Sequence, residues 1–291
     1  LTTRRQRQMC IRDSCNIAEC FSQYPQYKIF KINVDNEGKG CYNVPIFETA
    51  EEYEAYDYPK IKTFFKGAKG ETLFIIGGSG KISCGSLRIL ETIKRLPTSI
   101  LYIQPDLEML DDTQKMQERL VRNVIQEYAR SCMFEKVCLV SNSALDNIVG
   151  GAPVIGYFDT LNELLVPSLH MINFFNNNKA VSGSIPKAKD THRIYTVGIF
   201  DTQKNEEKMF FSLDNSRNKC YIYGVNEEKL KTDKKLMNKI KKQIESKKEE
   251  NVNISYAIYP TDYEYDIGYV IERTPNICLL YTSPSPRDLL K

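Results

Sequence analysis

The sequence predicts an α/β fold: a parallel, Rossmann-like sheet, a long central helix, and then a smaller α+β domain with a mixed sheet. Three observations predict it. In the first half, short apolar runs alternate with helical stretches, the pattern of a parallel sheet with helices on both faces. Next, "YFDTLNELLVPSLHMINFF" is one long helical stretch, with Pro167 an expected kink. After it, strand-like segments follow one another with a single helical stretch among them.

Taken in order, "NIAECFSQY" reads as helix and "YKIFKINVD" as a strand rich in β-branched and aromatic residues. The acidic "TAEEYEAY" is a short helix. "TLFIIGG" is an apolar run closed by glycines, as a buried parallel strand would be. "SLRILETIKRL" is helical, and "SILYIQP" is a strand stopped by Pro105. "TQKMQERLVRNVIQEYARSC" is a long amphipathic helix whose expected apolar stripe is Met116, Leu120, Val124 and Tyr128. "KVCLVSN" is the next strand. Beyond the central helix come the strands "RIYTVGIF", "KMFFSL", "KCYIYGV", "ISYAIYP" and "DIGYVIER". The helix among them, "NEEKLKTDKKLMNKIKKQIESKKEEN", carries one apolar stripe of Leu236, Ile240 and Ile244. Its lysines read as a solvated face, or as a basic surface for a partner.

The two ends do not match what adjoins them. "CLLYTS" can be back-translated TGT CTC TTA TAC ACA TCT, and the reverse complement of that DNA, read two bases in, encodes "MCIRD". The ends are thus opposite strands of one inverted element, and they resemble transposon-derived sequencing adapters. Residues 1–14 and 278–291 are accordingly set apart as adapter sequence. The expected organisation is then 15–155 as a parallel-sheet domain, 156–180 as the central helix, and 181–277 as the C-terminal α+β domain.

This division changes the charge. The chain holds 40 basic and 37 acidic residues, a net of +3; six basic and two acidic ones lie in the ends, leaving 34 against 35 and a net of −1. A basic balance therefore gives no argument for a nucleic-acid partner. Seven of the nine cysteines remain, with no CxxC pair, and His170 and His192 are the two histidines. Zinc ligation is not expected, and no protein ligand set for a metal is evident. Free thiols in a reducing cytoplasm are the simplest reading. No apolar run reaches the roughly 20 residues of a membrane span.

In an open parallel sheet, ligands bind past the carboxyl ends of the strands. Here those ends are Asn33 and Asp35, the cluster at Gly77, Pro105, and Asn142. "GGSGKISCGS" joins a strand to a helix there. Glycines let backbone close on a phosphate, and a helix start offers unpaired N–H groups. It is not a Walker A motif, because Ile75 and Ile82 stand where Gly and Ser or Thr belong. By itself it is either a phosphate loop or a tight structural turn.

The order of these segments resembles the tubulin/FtsZ superfamily of GTPases. "GGSGKISCGS" sits where that family has its glycine-rich phosphate loop. "IQP" followed by "LDDTQKM", "LVSNSAL" and "FDTLNELL" are each similar to family segments, and "CNIAECF" fits the end of the first nucleotide loop, so the resemblance implies that 15–155 is a nucleotide-binding domain lacking its first strand. The resemblance implies that GTP or GDP, with Mg²⁺ at the phosphates, is held by Asn16, Gly77, Gly78, Ser79, Gly80, Lys81, Ser83, Gly85, Ser86, Asp111, Lys115, Asn142, Phe158 and Asn162. Phe158 would stack on guanine and Asn162 would bond its edge. Phe158 and Asn162 are one helical turn apart, so they share a face. Without the resemblance, Phe158 reads as core and Asn162 as surface.

The family's catalytic loop follows the central helix and is rich in acids. Here the stretch is "SGSIPKAKDTHRI", with Asp190 its one acidic residue. The resemblance implies a filament of head-to-tail copies in which Asp190 acts on the nucleotide of the neighbouring subunit. The alternatives are a structural or regulatory relative without turnover, and an unrelated doubly wound enzyme using a mononucleotide.

Overall fold

The computed structural model describes residues 6–11, 14–34, 40–130, 133–188 and 191–275. The elements run β1 (Gln6–Ile11), α1 (Ser14–Phe21), β2 (Tyr27–Asn33), β3 (Cys41–Asn43), α2 (Ala50–Ala55), α3 (Ile61–Phe64), β4 (Thr72–Gly77), α4 (Ser86–Ile93), β5 (Thr98–Gln104), α5 (Asp112–Arg130), β6 (Lys136–Ser141) and α6 (Asn142–Val149). The long helix α7 (Tyr157–Asn176) follows. Then come β7 (Ser182–Gly183), β8 (Ile194–Asp201), β9 (Glu206–Met209), β10 (Asn218–Asn226), α8 (Glu227–Thr232), α9 (Leu236–Ser246), β11 (Asn253–Thr261) and β12 (Ile267–Thr274).

The first six strands pair in the order β3-β2-β1-β4-β5-β6, all parallel. Their residues alternate between two buried faces: Phe74 and Ile76 of β4 enter one core, Ile75 the other. Burial on both faces is why these strands read as unbroken apolar runs. The sheet continues through β8, β12, β10, β11 and β7, mixed in direction as expected. Within the sheet the two halves meet where β6 pairs with β8, Val137 with Ile194 and Cys138 with Tyr195. Helix α7 packs across that join: its Leu161, Leu165 and Ile172 share one core with Ile75 and Leu101 of the first half and Ile222 and Ile271 of the second. Pro167 lies inside α7 without interrupting it.

Three expectations need correction. Where a gap was expected at the first strand, the structure has β1, pairing with both β2 and β4. Ladder bonds come from backbone groups, so this slot accepts any extended segment and says nothing of the DNA that encoded it. The Lys-rich helix is two helices, α8 and α9. Asn226 caps α8, accepting from the N–H of Glu228 and Lys229, and the Asp233 side chain accepts from Lys235 N–H at the break. Its apolar stripe does hold, with Leu236 and Ile240 buried and Ile244 packed against the same core.

The third correction is the buried face of α5. Met116 is 55% exposed, while Gln117, Glu118, Val121, Arg122, Ile125 and Tyr128 are buried. The stripe was misread because polar residues hold core positions. The Tyr102 hydroxyl donates to Glu118 Oε1 at 2.6 Å, and Arg122 Nη2 lies 3.2 Å from Glu118 Oε2. A buried carboxylate with two such partners is tolerated, but removing it takes away the acceptor of the buried Tyr102 hydroxyl and one anion beside Arg122. Glu118→Ala is therefore expected to cost about 3 kcal/mol in urea unfolding; a loss below about 1 kcal/mol would show that the network is not structural.

Candidate functional site

The strand order reverses between β1 and β4, and ligands in such sheets sit outside the carboxyl ends at the reversal. A cleft of about 560 Å³ lies there. Six of the sequence-predicted residues line it: Gly77, Gly78, Ser79, Asn142, Phe158 and Asn162. They come from the ends of β4 and β6 and the first turns of α6 and α7.

The glycines divide their work. A side chain at Gly77 would meet nothing within 4 Å, so the backbone there is open to a ligand. At Gly78 a Cβ would lie 2.6 Å from the Tyr102 hydroxyl and 2.9 Å from Pro105 Cδ. Gly78 also spends its N–H on the Ile103 carbonyl, at 3.0 Å. Its role is close packing over the Glu118 network.

The rest of "GGSGKISCGS" turns away from the cleft. Gly80 leads into a 3₁₀ turn over Lys81–Gly85, and Ser83 N–H donates to the Gly80 carbonyl at 2.9 Å. The Ser86 hydroxyl donates to the Ser83 carbonyl, both residues being buried. Gly85 packs on Tyr58 and Tyr53. Lys81 Nζ donates to the Glu48 carbonyl at 2.8 Å, next to the capping box that Thr49 and Glu52 form at α2. Asp111 and Lys115 are likewise outside the cleft's lining. The Asp111 side chain accepts from Gln114 N–H at 2.7 Å and its carbonyl from Lys115 N–H at 2.9 Å, so Asp111 caps α5.

Phe158 is 55% exposed and Asn162 is 6% exposed. The Asn162 carboxamide has no hydrogen-bond partner among the described residues. Lining the cleft, the amide is open to a ligand that can both donate and accept.

No protein-family model matches the sequence, and no curated protein sequence matches it. Solved structures do match in fold. The GTPγS-form protofilament of TubZ from Bacillus thuringiensis serovar israelensis aligns with a TM-score of 0.67 at 15% identity, covering 92% of this chain and 87% of that one. CetZ1 from Haloferax volcanii, a GDP-bound monomer, aligns at 0.68 and 13% identity, covering 95% and 96%. The empty FtsZ dimer from M. jannaschii aligns at 0.65 and 10% identity, covering 94% and 88%. The chain has a divergent tubulin/FtsZ-like fold.

Within this tubulin/FtsZ-like fold, Asn16 is exposed in the first turn of α1, beside Ile17 of the cleft wall. It stands one turn before Cys20, whose thiol is pushed up by burial, then by Asp159 and Glu163 of α7. Asp190 lies outside the described residues. The structure adds wall residues that sequence reasoning missed, among them Asp106, Gln114, Val154 and Tyr157. Burial raises the Tyr157 hydroxyl above its usual value, and Asp146 and Asp106 add to the shift. The "GG" at 150–151 and Gly156, each at positive φ, were the available signal for a loop bending over the cleft.

Proposed function

We propose that this protein binds guanine nucleotide in the cleft at Gly77, Phe158 and Asn162, and associates head to tail with copies of itself. The observation that carries the reading is Asn162, which lines the cleft with its carboxamide free for a ligand, one helical turn from the half-exposed ring of Phe158. An aromatic face grips a base, and a carboxamide can both donate and accept at its edge. Guanine offers N1–H and N2–H₂ to an acceptor and O6 to a donor; adenine offers another pattern. Relatives of the same fold support it, since TubZ is described in a GTPγS form and CetZ1 with GDP.

Mg²⁺ would come with the phosphates, near Gly77–Ser79, keeping water for most of its ligands. Self-association is supported by the rim of the cleft, where Val154, Ile155 and Met109 are 95%, 92% and 78% exposed. A cluster of that kind suits a face covered by another subunit. Cys15, Cys20, Cys41, Cys84, Cys138 and Cys220 form no disulfide, which suits a reducing cytoplasm.

Asn162→Ala should weaken GTP binding by roughly 1–3 kcal/mol, the cost of one unmade buried hydrogen-bonding set. Calorimetry with GTP and ATP on both proteins tests it. The wild type should prefer GTP, and the variant should lose that preference. Equal affinity for the two nucleotides, unchanged by the substitution, would displace the site. A non-hydrolysing relative is the second reading, favoured by the loop 182–194, where Asp190 is the single acid.

A further inference from the structure

A second, larger cleft, of about 1100 Å³, lies at the opposite ends of the same strands. It is bounded by the amino ends of β4, β5 and β6, the C-terminal half of α7, the loop 185–188, and the strands β8 and β12. Its walls are of two kinds. Phe21, Leu101, Ile172, Val197 and Ile271 give an apolar side. The charged side groups around it are five basic, Lys69, Lys136, Lys187, Arg193 and Arg273, against two acidic, Glu71 and Glu135.

Arg273 is the unusual one. It is 7% exposed, yet its guanidinium has no hydrogen-bond or ion-pair partner among the described residues. Arg193, by contrast, donates to the Phe134 carbonyl at 2.6 Å. Burial pulls Arg273 below the usual guanidinium range, and the only groups that oppose this are the Cys220 thiol and the Tyr195 hydroxyl, neither of them a carboxylate. Lys136 is pulled down by burial as well, with Glu71 and Glu135 opposing and Arg273 adding to the fall. Both cations line the partly apolar cleft. The Arg273 guanidinium opens on the cleft, where an anion would offset both charges.

We propose that this cleft binds a small organic acid, an apolar body with a carboxylate at one end, and that Arg273 holds the carboxylate. The planar guanidinium presents parallel N–H donors that match two carboxylate oxygens, with Lys136 adding a point charge. The apolar walls select against a bare inorganic anion. The site is separate from the nucleotide cleft and does not rest on that reading.

Calorimetry with octanoate, n-octanol and inorganic phosphate tests it on the wild type, Arg273→Met and Arg273→Lys. Octanoate should bind the wild type saturably, one per chain. Octanol lacks the acid and phosphate lacks the body, and each should bind at least roughly tenfold more weakly, as should octanoate to Arg273→Met. Arg273→Lys should fall between the two. The thermal midpoint of ligand-free Arg273→Met should equal or exceed the wild type's, because no hydrogen bond or ion pair among the described residues is lost and a repulsion with Lys136 is removed. Absence of saturable octanoate binding, or affinity unchanged in Arg273→Met, would overturn the proposal. So would phosphate binding as tightly as octanoate. A lower midpoint in Arg273→Met with no octanoate binding would overturn it too, by showing that the guanidinium is matched within the protein.

Discussion

Turnover of GTP per subunit is expected to rise with protein concentration, and Asp190→Ala is expected to lower it by roughly a hundredfold or more, the usual contribution of a positioned proton acceptor. The reason is distance. Phe158 and Asn162 in the first turns of α7 line the cleft proposed for nucleotide, while the loop after α7, at Pro186 and Lys187, lines the cleft at the other ends of the strands. The 20 residues of α7 span about 30 Å. If nucleotide is held at Phe158 and Asn162, the described part of that loop is far from it, and the head-to-tail reading has Asp190 orient water for attack on the γ-phosphate held by the next subunit. GTP affinity should stay within about a factor of three, under about 0.7 kcal/mol, because the loop takes no part in holding the base. A GTPase assay over a concentration series, run beside light scattering, is the measurement. Concentration-independent turnover, or full activity in the variant, rejects a shared site. Intact binding with no turnover in the wild type selects the non-hydrolysing reading.

Gly85→Ala is expected to destabilise the fold by about 3 kcal/mol, the upper range for overpacking. A Cβ at Gly85 would stand 1.8 Å from the Tyr58 hydroxyl, 2.8 Å from its Cζ and 3.0 Å from the Tyr53 carbonyl. Tyr58 cannot swing aside. It is 2% exposed, its hydroxyl donates to the Tyr53 carbonyl at 2.9 Å, and its own φ of 47° is already in the left-handed region. Cores are packed as densely as organic crystals, so the added methyl must move backbone. Tyr58→Phe removes the nearest clashing atom, and combined with Gly85→Ala it should recover about 1 kcal/mol relative to Gly85→Ala alone. Urea unfolding of the two single variants and the pair checks both values. A Gly85→Ala protein within 1 kcal/mol of the wild type would show that the 80–86 turn relaxes freely.

Much of this was legible in the sequence. The alternating strands and helices of the first half, the mixed second half and the long α7 are present as their patterns predicted, while the strand expected at "KMFFSL" lies earlier, at Glu206–Met209. Phe158 and Asn162 were legible as a pair because a four-residue spacing puts two side chains on one helical face. Gly77 and Asn142 were legible because strand ends in a parallel sheet converge.

Other features were decided by contacts between distant residues. The period of α5 pointed to Met116, but a partner 16 residues away, Tyr102, makes Glu118 a core residue instead. Three glycines of one loop look alike in sequence, yet Gly77 opens on the cleft, Gly78 packs on Tyr102 and Gly85 packs on Tyr58. Lys81 looked like a charge for phosphate and is bonded to Glu48. Arg273 was one basic residue in a strand, and only the sheet brings it to Lys136, beside the end of α7. Local sequence set the period, the caps and the strand ends, because those follow from backbone geometry over a few residues. Which polar group is left unpaired in which cleft was decided by tertiary structure, because burial and partners come from segments far apart in the chain.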